Sequence, residues 1–328
     1  MAKMKKVTYT QAIREAIDEE MARDKNVLIL GEDVGILGGN FKTAVGLFEK
    51  YGDLRVKDTP ISENSFLGMS LGMAITGLRP IVEIMFSDFL LLASDQLLNQ
   101  IAKIRYMSGG QVKVPLTVRT SIGAGRSSAA QHSQSLHAIM CHVPGLKVVV
   151  PSSAADAKGL LKTAIREDNP VVFIEHKMEY NQEYEIPEGE YTIPFGKANV
   201  LREGKDITVI ATSNLALKAV KAAKELAKEG IDVEVIDPRT LVPLDRETLI
   251  ASIKKTGRVF LADEGYERCN IVAEIMMDLM PDIFYDLDHP PERLCLLNVP
   301  LPFSPTLEFP LIPDQVKLYK RIKKIFKS

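Results

Sequence analysis

Short apolar runs rich in β-branched residues alternate along this chain with longer segments in which apolar residues recur at helical spacing. This alternation predicts an α/β fold in which mostly parallel sheets are covered by helices. In the first half, the predicted strands are 27–30, 81–86, 114–119, 147–150 and 171–175. One predicted helix begins near residue 10, and three others span residues 62–76, 89–106 and 154–167.

The alternation stops between residues 176 and 206, where the chain is acidic and carries Pro187 and Pro194. Such a stretch is typical of a connection between domains. After it the pattern restarts, with predicted strands at 207–211, 233–236 and 259–263 and predicted helices at 215–229 and 245–255. We therefore expect two domains, residues 1–189 and residues 190–328, with the linker included in the second.

Composition and charge argue against several classes of partner. The 328 residues carry a formal net charge of -2, and the basic clusters are confined to residues 1–6 and 320–324, which argues against a nucleic-acid partner. No apolar run is long enough to cross a bilayer, so we expect no membrane association. The three scattered cysteines suit neither a disulfide framework nor a thiolate zinc site, and we expect a cytoplasmic protein.

Several common nucleotide-binding, hydrolase and metal-binding motifs are incomplete or absent in this sequence. Residues 38–43 lack the glycine that precedes the lysine of a Walker loop, and residues 123–128 end in serine where a dinucleotide-binding fingerprint ends in glycine. No G-x-S-x-G elbow is present. His132, His137 and His142 follow at steps of five residues, which do not stack on one helix face, so the sequence argues against a metal site there.

Glu63 stands in the first turn of a predicted helix, directly after Ser62, which is well placed to cap that helix. One interpretation is that the carboxylate only complements the helix dipole, a contribution of about 0.3–1 kcal/mol. The other is that Glu63 faces an apolar cavity, where desolvation would raise its pKa and allow proton exchange near neutral pH. The side chains available to line such a cavity are Ile61, Phe66, Met85 and Phe89.

A second candidate is the polar run at residues 131–135, which follows a glycine-rich loop and contains His132. Loops of this kind at the carboxyl ends of parallel strands are where α/β proteins place ligands. A surface histidine without a role explains the same pattern, and the residues alone leave both interpretations open.

At these two segments the chain resembles the beta subunits of the decarboxylating component of 2-oxo acid dehydrogenase complexes, the group that holds the pyruvate, branched-chain and acetoin dehydrogenases. The matching segments extend over nearly the whole chain and keep their order and spacing. They are Gly31-Glu32-Asp33, Asp58-Thr59-Pro60-Ile61-Ser62-Glu63, Gly77-Leu78-Arg79-Pro80, Arg105-Tyr106-Met107-Ser108-Gly109-Gly110, Ala130-Gln131-His132-Ser133-Gln134, and residues 142–147 and 156–160.

The resemblance implies a pyrimidine-binding domain followed by a transketolase C-terminal-like domain. It implies that Glu63 hydrogen-bonds the pyrimidine ring of thiamine diphosphate and activates the cofactor, which carries the carbon chemistry. Ile61, Met85 and Phe89 would complete the cofactor-binding residues, and His132 would face the substrate and assist acyl transfer to a lipoyl group.

The Gly-Asp-Gly motif that begins the usual magnesium and diphosphate site of thiamine enzymes does not occur here. The resemblance implies that an alpha subunit holds Mg²⁺ and the phosphates in an α2β2 heterotetramer, and that a lipoylated dihydrolipoyl acyltransferase core is a further partner. It also implies a potassium ion bound by main-chain carbonyls at Leu116, Ala164, Ile165, Glu167 and Asn169.

Two features depart from the family pattern. His137 stands where an acidic or neutral residue is usual, and residues 263–270 lack a glycine pair that is common there. Residues 119–120, 123–126 and 302–305 look more like acetoin-cleaving members, but the donor stays open between pyruvate, a branched-chain 2-oxo acid and acetoin. Two other functions also stay open. One is a non-catalytic assembly subunit, and the other is a self-contained transketolase-type enzyme, which the missing metal motif argues against.

Overall fold

The computed structural model describes residues 3–327, so Met1, Ala2 and Ser328 lie outside the described residues. The chain divides into two compact units. The first contains residues up to 122 together with 139–195, and the second contains residues 123–138 together with 196 onward. A short internal segment thus belongs to the second unit, which periodicity could not indicate because it describes only contiguous stretches. The domain boundary after residue 189 stays a prediction.

The first unit is built on a parallel sheet whose strands pair in the order β6-β7-β5-β4-β2-β3, and β1 and β8 form a separate antiparallel pair. The strands are β1 (Met4–Thr8), β2 (Val27–Gly31), β3 (Val56–Asp58), β4 (Arg79–Ile84), β5 (Thr117–Ile122), β6 (Lys147–Val149), β7 (Val171–His176) and β8 (Glu183–Pro187). The helices are α1 (Tyr9–Arg23), α2 (Leu47–Tyr51), α3 (Glu63–Ile75), α4 (Ile104–Met107) and α6 (Ala154–Arg166). Helix α5 (His137–Cys141) lies where the chain passes from the second unit back to the first.

Helix α1 illustrates how the sequence builds this core. It begins with a capping box, in which the Thr8 hydroxyl accepts a hydrogen bond from the Gln11 backbone N–H and the Gln11 side chain accepts one from the Thr8 N–H. Its buried positions recur at steps of three and four residues, and α1 packs against α6. Burial of each large aliphatic side chain on this face contributes roughly 1.5–3 kcal/mol.

The single helix predicted at 89–106 is wrong. The structure has a 3₁₀ turn at Ser87–Leu91, a π-helical segment at Asp95–Ile101 and then α4. The buried residues Ala93, Leu97 and Ile101 lie four residues apart, a spacing that an α-helix and a π-helical turn both accommodate.

Two other boundaries also differ from expectation. Strand β5 begins at Thr117, not at Val114, because Pro115 has no N–H to donate to a neighbouring strand. The stretch 176–206 is not a bare connection, since it contains β8, which pairs with β1, and the start of the second unit's sheet.

The second unit has its own sheet, with strand order β14-β13-β10-β11-β9, in which β9 is antiparallel to β11 and the other pairs are parallel. The strands of this sheet are β9 (Asn199–Arg202), β10 (Ile207–Ala211), β11 (Val233–Asp237), β13 (Val259–Tyr266) and β14 (Glu292–Leu296). Strand β12 (Thr240–Val242) is not part of this five-stranded sheet. The helices are α7 (Asn214–Ala227), α8 (Arg246–Thr256), α9 (Ile271–Ile283), α10 (Pro305–Glu308) and α11 (Gln315–Ile325).

Helices α7 and α11 pack together over one core in the second unit, where alanines of α7 lie among larger side chains of α11 and the strands. The predicted α/β class with mostly parallel sheets is confirmed in both units. Among the described residues, no helix has the length and apolar character needed to span a bilayer.

Candidate active site

Two acidic residues lie at the carboxyl end of the first unit's sheet. Glu32 directly follows β2, and Glu63 is the first residue of α3, which follows β3. Both are buried, with 8% of Glu32 and 6% of Glu63 exposed. The carboxyl ends of parallel strands are where open α/β sheets bind ligands.

The charge of Glu63 influences the ionisation of Glu32. Burial raises the pKa of Glu32, and the negative charges of Glu63 and Asp33 raise it further. Oε1 of Glu32 is buried and has no hydrogen-bond partner within residues 3–327. Two neighbouring buried carboxylates are costly when both are ionised, which adds to the effect of burial on the pKa of Glu32. Whether Glu63 acts as an acid–base group or only complements the helix dipole stays a prediction.

Ser62 precedes α3 as expected, but its predicted capping bond is absent. The Ser62 hydroxyl donates to the hydroxyl of Ser65 at 2.8 Å, and no side-chain hydrogen bond caps the helix at Ser62. The first turn of α3 therefore gains its order from backbone bonds and from packing, not from a serine cap.

The predicted apolar neighbours occupy different environments. Met85 directly follows β4, is half-buried, and accepts a hydrogen bond at its carbonyl from the Ser121 hydroxyl at 2.6 Å. Phe89 is half-buried in the 3₁₀ turn and makes an edge-to-face contact with Phe86 at 5.7 Å between ring centroids. Because β4 pairs with β2 and Gly31 lies opposite Glu83, Met85 and Glu32 leave adjacent strand ends. Ile61 is 84% exposed in this chain.

The loop after Glu32 is held by close backbone approaches that the sequence did not reveal. The Gly35 N–H donates to Oδ1 of Asp58 at 2.6 Å, and a Cβ at Gly35 would lie 2.5 Å from Oδ2 of the same residue. Further along this loop, the Thr43 hydroxyl donates to Oε2 of Glu83 at 2.8 Å. A side chain at position 35 would have to displace the Asp58 carboxylate, so the bond between Gly35 and Asp58 depends on glycine there.

Arg119 belongs to the core and not to a substrate pocket. Its side chain is buried between Glu83 and Glu175, with nitrogen–oxygen distances of 2.9 and 2.8 Å. Arg119 therefore cannot contact a substrate. The likeness of residues 119–120 to acetoin-cleaving members is thus a weaker argument for acetoin as the substrate.

His132 is half-buried and lies in the 123–138 segment of the second unit, whereas Glu63 lies in the first unit. Their cooperation in one site stays a prediction. Glu32 was missed as a site residue, although its position directly after a buried strand was a usable signal.

The five potassium positions lie around the turn between α6 and β7 and at the start of β5. They are Leu116, Ala164, Ile165, Glu167 and Asn169. The carbonyls of Ile165 and Glu167 each accept a hydrogen bond from Nη1 of Arg79 at 3.1 Å. A carbonyl oxygen has two lone pairs, so a carbonyl that accepts a hydrogen bond can also bind a cation. A potassium ion here would share the Ile165 and Glu167 carbonyls with the Arg79 guanidinium.

Comparison with known proteins gives the chain's family. The family model described as the transketolase pyrimidine binding domain matches residues 5–183, and that described as the transketolase C-terminal domain matches residues 196–318. Among solved structures, a chain described as split gene transketolase, inactive beta4 tetramer, has a TM-score of 0.77 at 23% identity and covers 98% of each chain. That likeness supports the fold alone.

Three relatives are similar over nearly their whole lengths. Subunit beta of acetoin:2,6-dichlorophenolindophenol oxidoreductase from Cupriavidus necator is 45% identical, covering 99% of this chain and 98% of that protein. The pyruvate dehydrogenase E1 component subunit beta from Porphyra purpurea is 46% identical, with coverages of 99% and 98%. The 2-oxoisovalerate dehydrogenase subunit beta from Bacillus subtilis is 44% identical, with coverages of 97% and 98%. The chain thus belongs to the family of beta subunits of the thiamine-diphosphate-dependent 2-oxo acid and acetoin dehydrogenases.

Proposed function

We propose that this chain is the beta subunit of an enzyme that cleaves a 2-oxo acid or acetoin and transfers the acyl group to lipoamide. With a 2-oxo acid, the bond between the carboxyl and carbonyl carbons breaks and carbon dioxide leaves. The lipoyl S–S bond breaks, one sulfur forms the thioester and the other takes a proton, so the disulfide accepts the two electrons that the donor loses. With acetoin, acetaldehyde leaves in place of carbon dioxide.

The observation that carries the proposal is the buried pair of Glu32 and Glu63. Two neighbouring buried carboxyl groups, one of which has an unpartnered acceptor oxygen, suit a heterocycle with ring nitrogen and amino groups. Thiamine diphosphate, when bound, supplies the nucleophilic carbon and the electron sink for the reaction. The chain's own part is to hold and deliver a proton at the Glu63 carboxyl group and to position the ring with Ile61, Met85 and Phe89.

The remaining roles are assigned to His132 and to partner chains. We assign His132 to the substrate side, where it assists acyl transfer to the lipoyl group. An alpha subunit in an α2β2 tetramer would hold Mg²⁺ and the phosphates, and the 84% exposure of Ile61 supports a site that other groups complete. A lipoylated acyltransferase core would accept the product. Cys141, Cys269 and Cys295 form no disulfide with one another, which supports a cytoplasmic location.

The experiment is reconstitution of the chain with its alpha partner. We expect the isolated chain to have almost no activity and the mixture to reduce lipoamide with one donor from a panel of pyruvate, branched-chain 2-oxo acids and acetoin. Identities of 44–46% to relatives named for all three donors do not choose among them. Full activity of the alpha chain alone would overturn the proposal in favour of an assembly subunit. Thiamine diphosphate binding and turnover by the lone chain would favour the transketolase-type enzyme.

A further inference from the structure

The two departures from the family pattern contact each other in the second unit. Nε2 of His137 lies 2.9 Å from Oδ1 of Asp263, and both side chains are buried. Asp263 also accepts hydrogen bonds from the Gly265 N–H at 2.6 Å, the Asn270 side-chain amide at 2.9 Å and the Thr212 hydroxyl. Asp263, which lies in the 263–270 region, thus holds the unusual His137 in place.

His137 ends the stretch of residues 124–137, and a second set of bonds holds the beginning of that stretch. The Ala124 N–H donates to Oε1 of Glu264 at 2.6 Å. The Gly125 and Ser127 N–H groups donate to the two oxygens of Glu308 at 2.8 and 3.0 Å, and Glu308 is fully buried. Charge-assisted bonds of this kind are roughly twice as strong as neutral ones.

The segment between these two anchors is irregular. The backbone has positive φ at Ser127, which belongs to the anchor at Glu308, and at Ala129, which lies between the two; residues other than glycine seldom adopt this conformation. Such a conformation persists only where surrounding contacts determine it. His132 lies between the anchors, so its position depends on contacts made at both ends of the segment.

We infer that His137, Asp263, Glu264 and Glu308 are positioning residues, which fix residues 124–137, the His132 segment, so that His132 can assist acyl transfer to the lipoyl group. The inference rests on the proposed function for the part that concerns transfer. The anchoring itself concerns only contacts within the second unit.

The first test uses trypsin on the full-length chain. Arg126 is exposed and is the sole lysine or arginine of the His132 segment, so cleavage after it reports release of the segment. Glu308→Gln keeps the size of the side chain but places an amide NH₂ against one of the two N–H groups. We expect this variant to be cut at Arg126 at least fivefold faster than the wild type.

The matched control is Asp245→Asn. Asp245 is also a buried carboxylate that accepts backbone N–H bonds, from Ala198 at 2.9 Å and Thr248 at 3.3 Å, but it holds no part of the His132 segment. The Asp245→Asn variant should be cut after Arg126 at the wild-type rate. His137→Gln, which weakens the other anchor, is the second variant in case Glu308→Gln does not fold. Cleavage of a folded anchor variant at the wild-type rate would overturn the anchoring, whatever the enzyme's activity.

The second test uses the reconstituted enzyme with two acceptors. The dye 2,6-dichlorophenolindophenol takes the same two electrons from the donor while the acyl group leaves to water, so it bypasses transfer to lipoamide. We expect Glu308→Gln and His137→Gln to lower kcat/KM for lipoamide about tenfold and to change dye reduction less than twofold. Faster cleavage with unchanged lipoamide transfer would overturn the positioning role. A wild-type tetramer without activity would refute the proposed function and leave the anchoring decided by trypsin.

Discussion

At the scale of single residues, the chemistry of this chain depends on burying carboxylates beside groups that decide whether they are ionised. Glu32 lies beside Glu63 and has a raised pKa, whereas Asp263 lies beside His137 and has a pKa lowered to about 2. The first arrangement disfavours the ionised form of Glu32, and the second favours a charged His137–Asp263 pair. Glu63 could be singled out from the sequence because a helix start is a local signal. The position of Glu32 directly after a buried strand was also a local signal, but its proximity to Glu63 was not predictable because it depends on the pairing of β2 and β3.

The His137–Asp263 pair predicts a pH-dependent stability. Burial alone would lower the pKa of His137, but the Asp263 carboxylate raises it above the ordinary 6.5. A raised pKa means that this contribution is fully present below about pH 6.5 and is lost as pH rises through the folded value. The Asp263 contribution is present above its ordinary 3.8 and is lost as pH falls through about 2.

In urea unfolding near pH 5.5, we therefore expect the free energy of unfolding of the wild type to exceed that of His137→Gln by about 1–3 kcal/mol. The advantage should shrink steadily as pH rises above 6.5. An advantage that stays constant or grows from pH 5.5 to 9 would show that the histidine is neutral in the folded chain.

At the scale of elements, buried parallel strands could be predicted well and irregular elements could not. Strands such as β2 and β10 are continuous apolar runs, which is what burial on both faces requires. The pair β1 and β8 was missed because both strands are short and partly exposed, and their registry joins Met4 to Pro187, far apart in sequence. The helix at 89–106 was overextended because apolar residues four apart satisfy an α-helical and a π-helical pattern alike.

The turn between α6 and β7 carries the potassium prediction. Arg79 already donates to the carbonyls of Ile165 and Glu167, so a potassium ion at this turn would share those two oxygens with the guanidinium. If potassium binds there, exchanging sodium chloride for potassium chloride at equal ionic strength should raise the thermal midpoint by about 2–4 °C. Equal midpoints in the two salts would exclude a stabilising potassium site.

At the scale of the whole molecule, each unit has its own sheet and core, yet the chain is not simply two successive domains. Residues 123–138 leave the first unit and belong to the second, carrying His132 with them. Sequence periodicity predicts two units but assigns each stretch to its neighbours in sequence, so this segment could not be placed. The matches to two transketolase-type domains cover residues 5–183 and 196–318 and agree with two units in the chain.

The central claim is that Glu63 acts as an acid–base group, and substitution of its carboxyl group tests it most directly. Glu63→Gln keeps the size of the side chain but cannot exchange a proton, so we expect the reconstituted enzyme to lose activity by about 10²–10⁴-fold while the tetramer stays intact. The matched control is Glu247→Gln, which removes an exposed glutamate from the first turn of α8 and should cost no more than ~1 kcal/mol of stability and no activity. A Glu63→Gln tetramer with normal turnover would contradict the account.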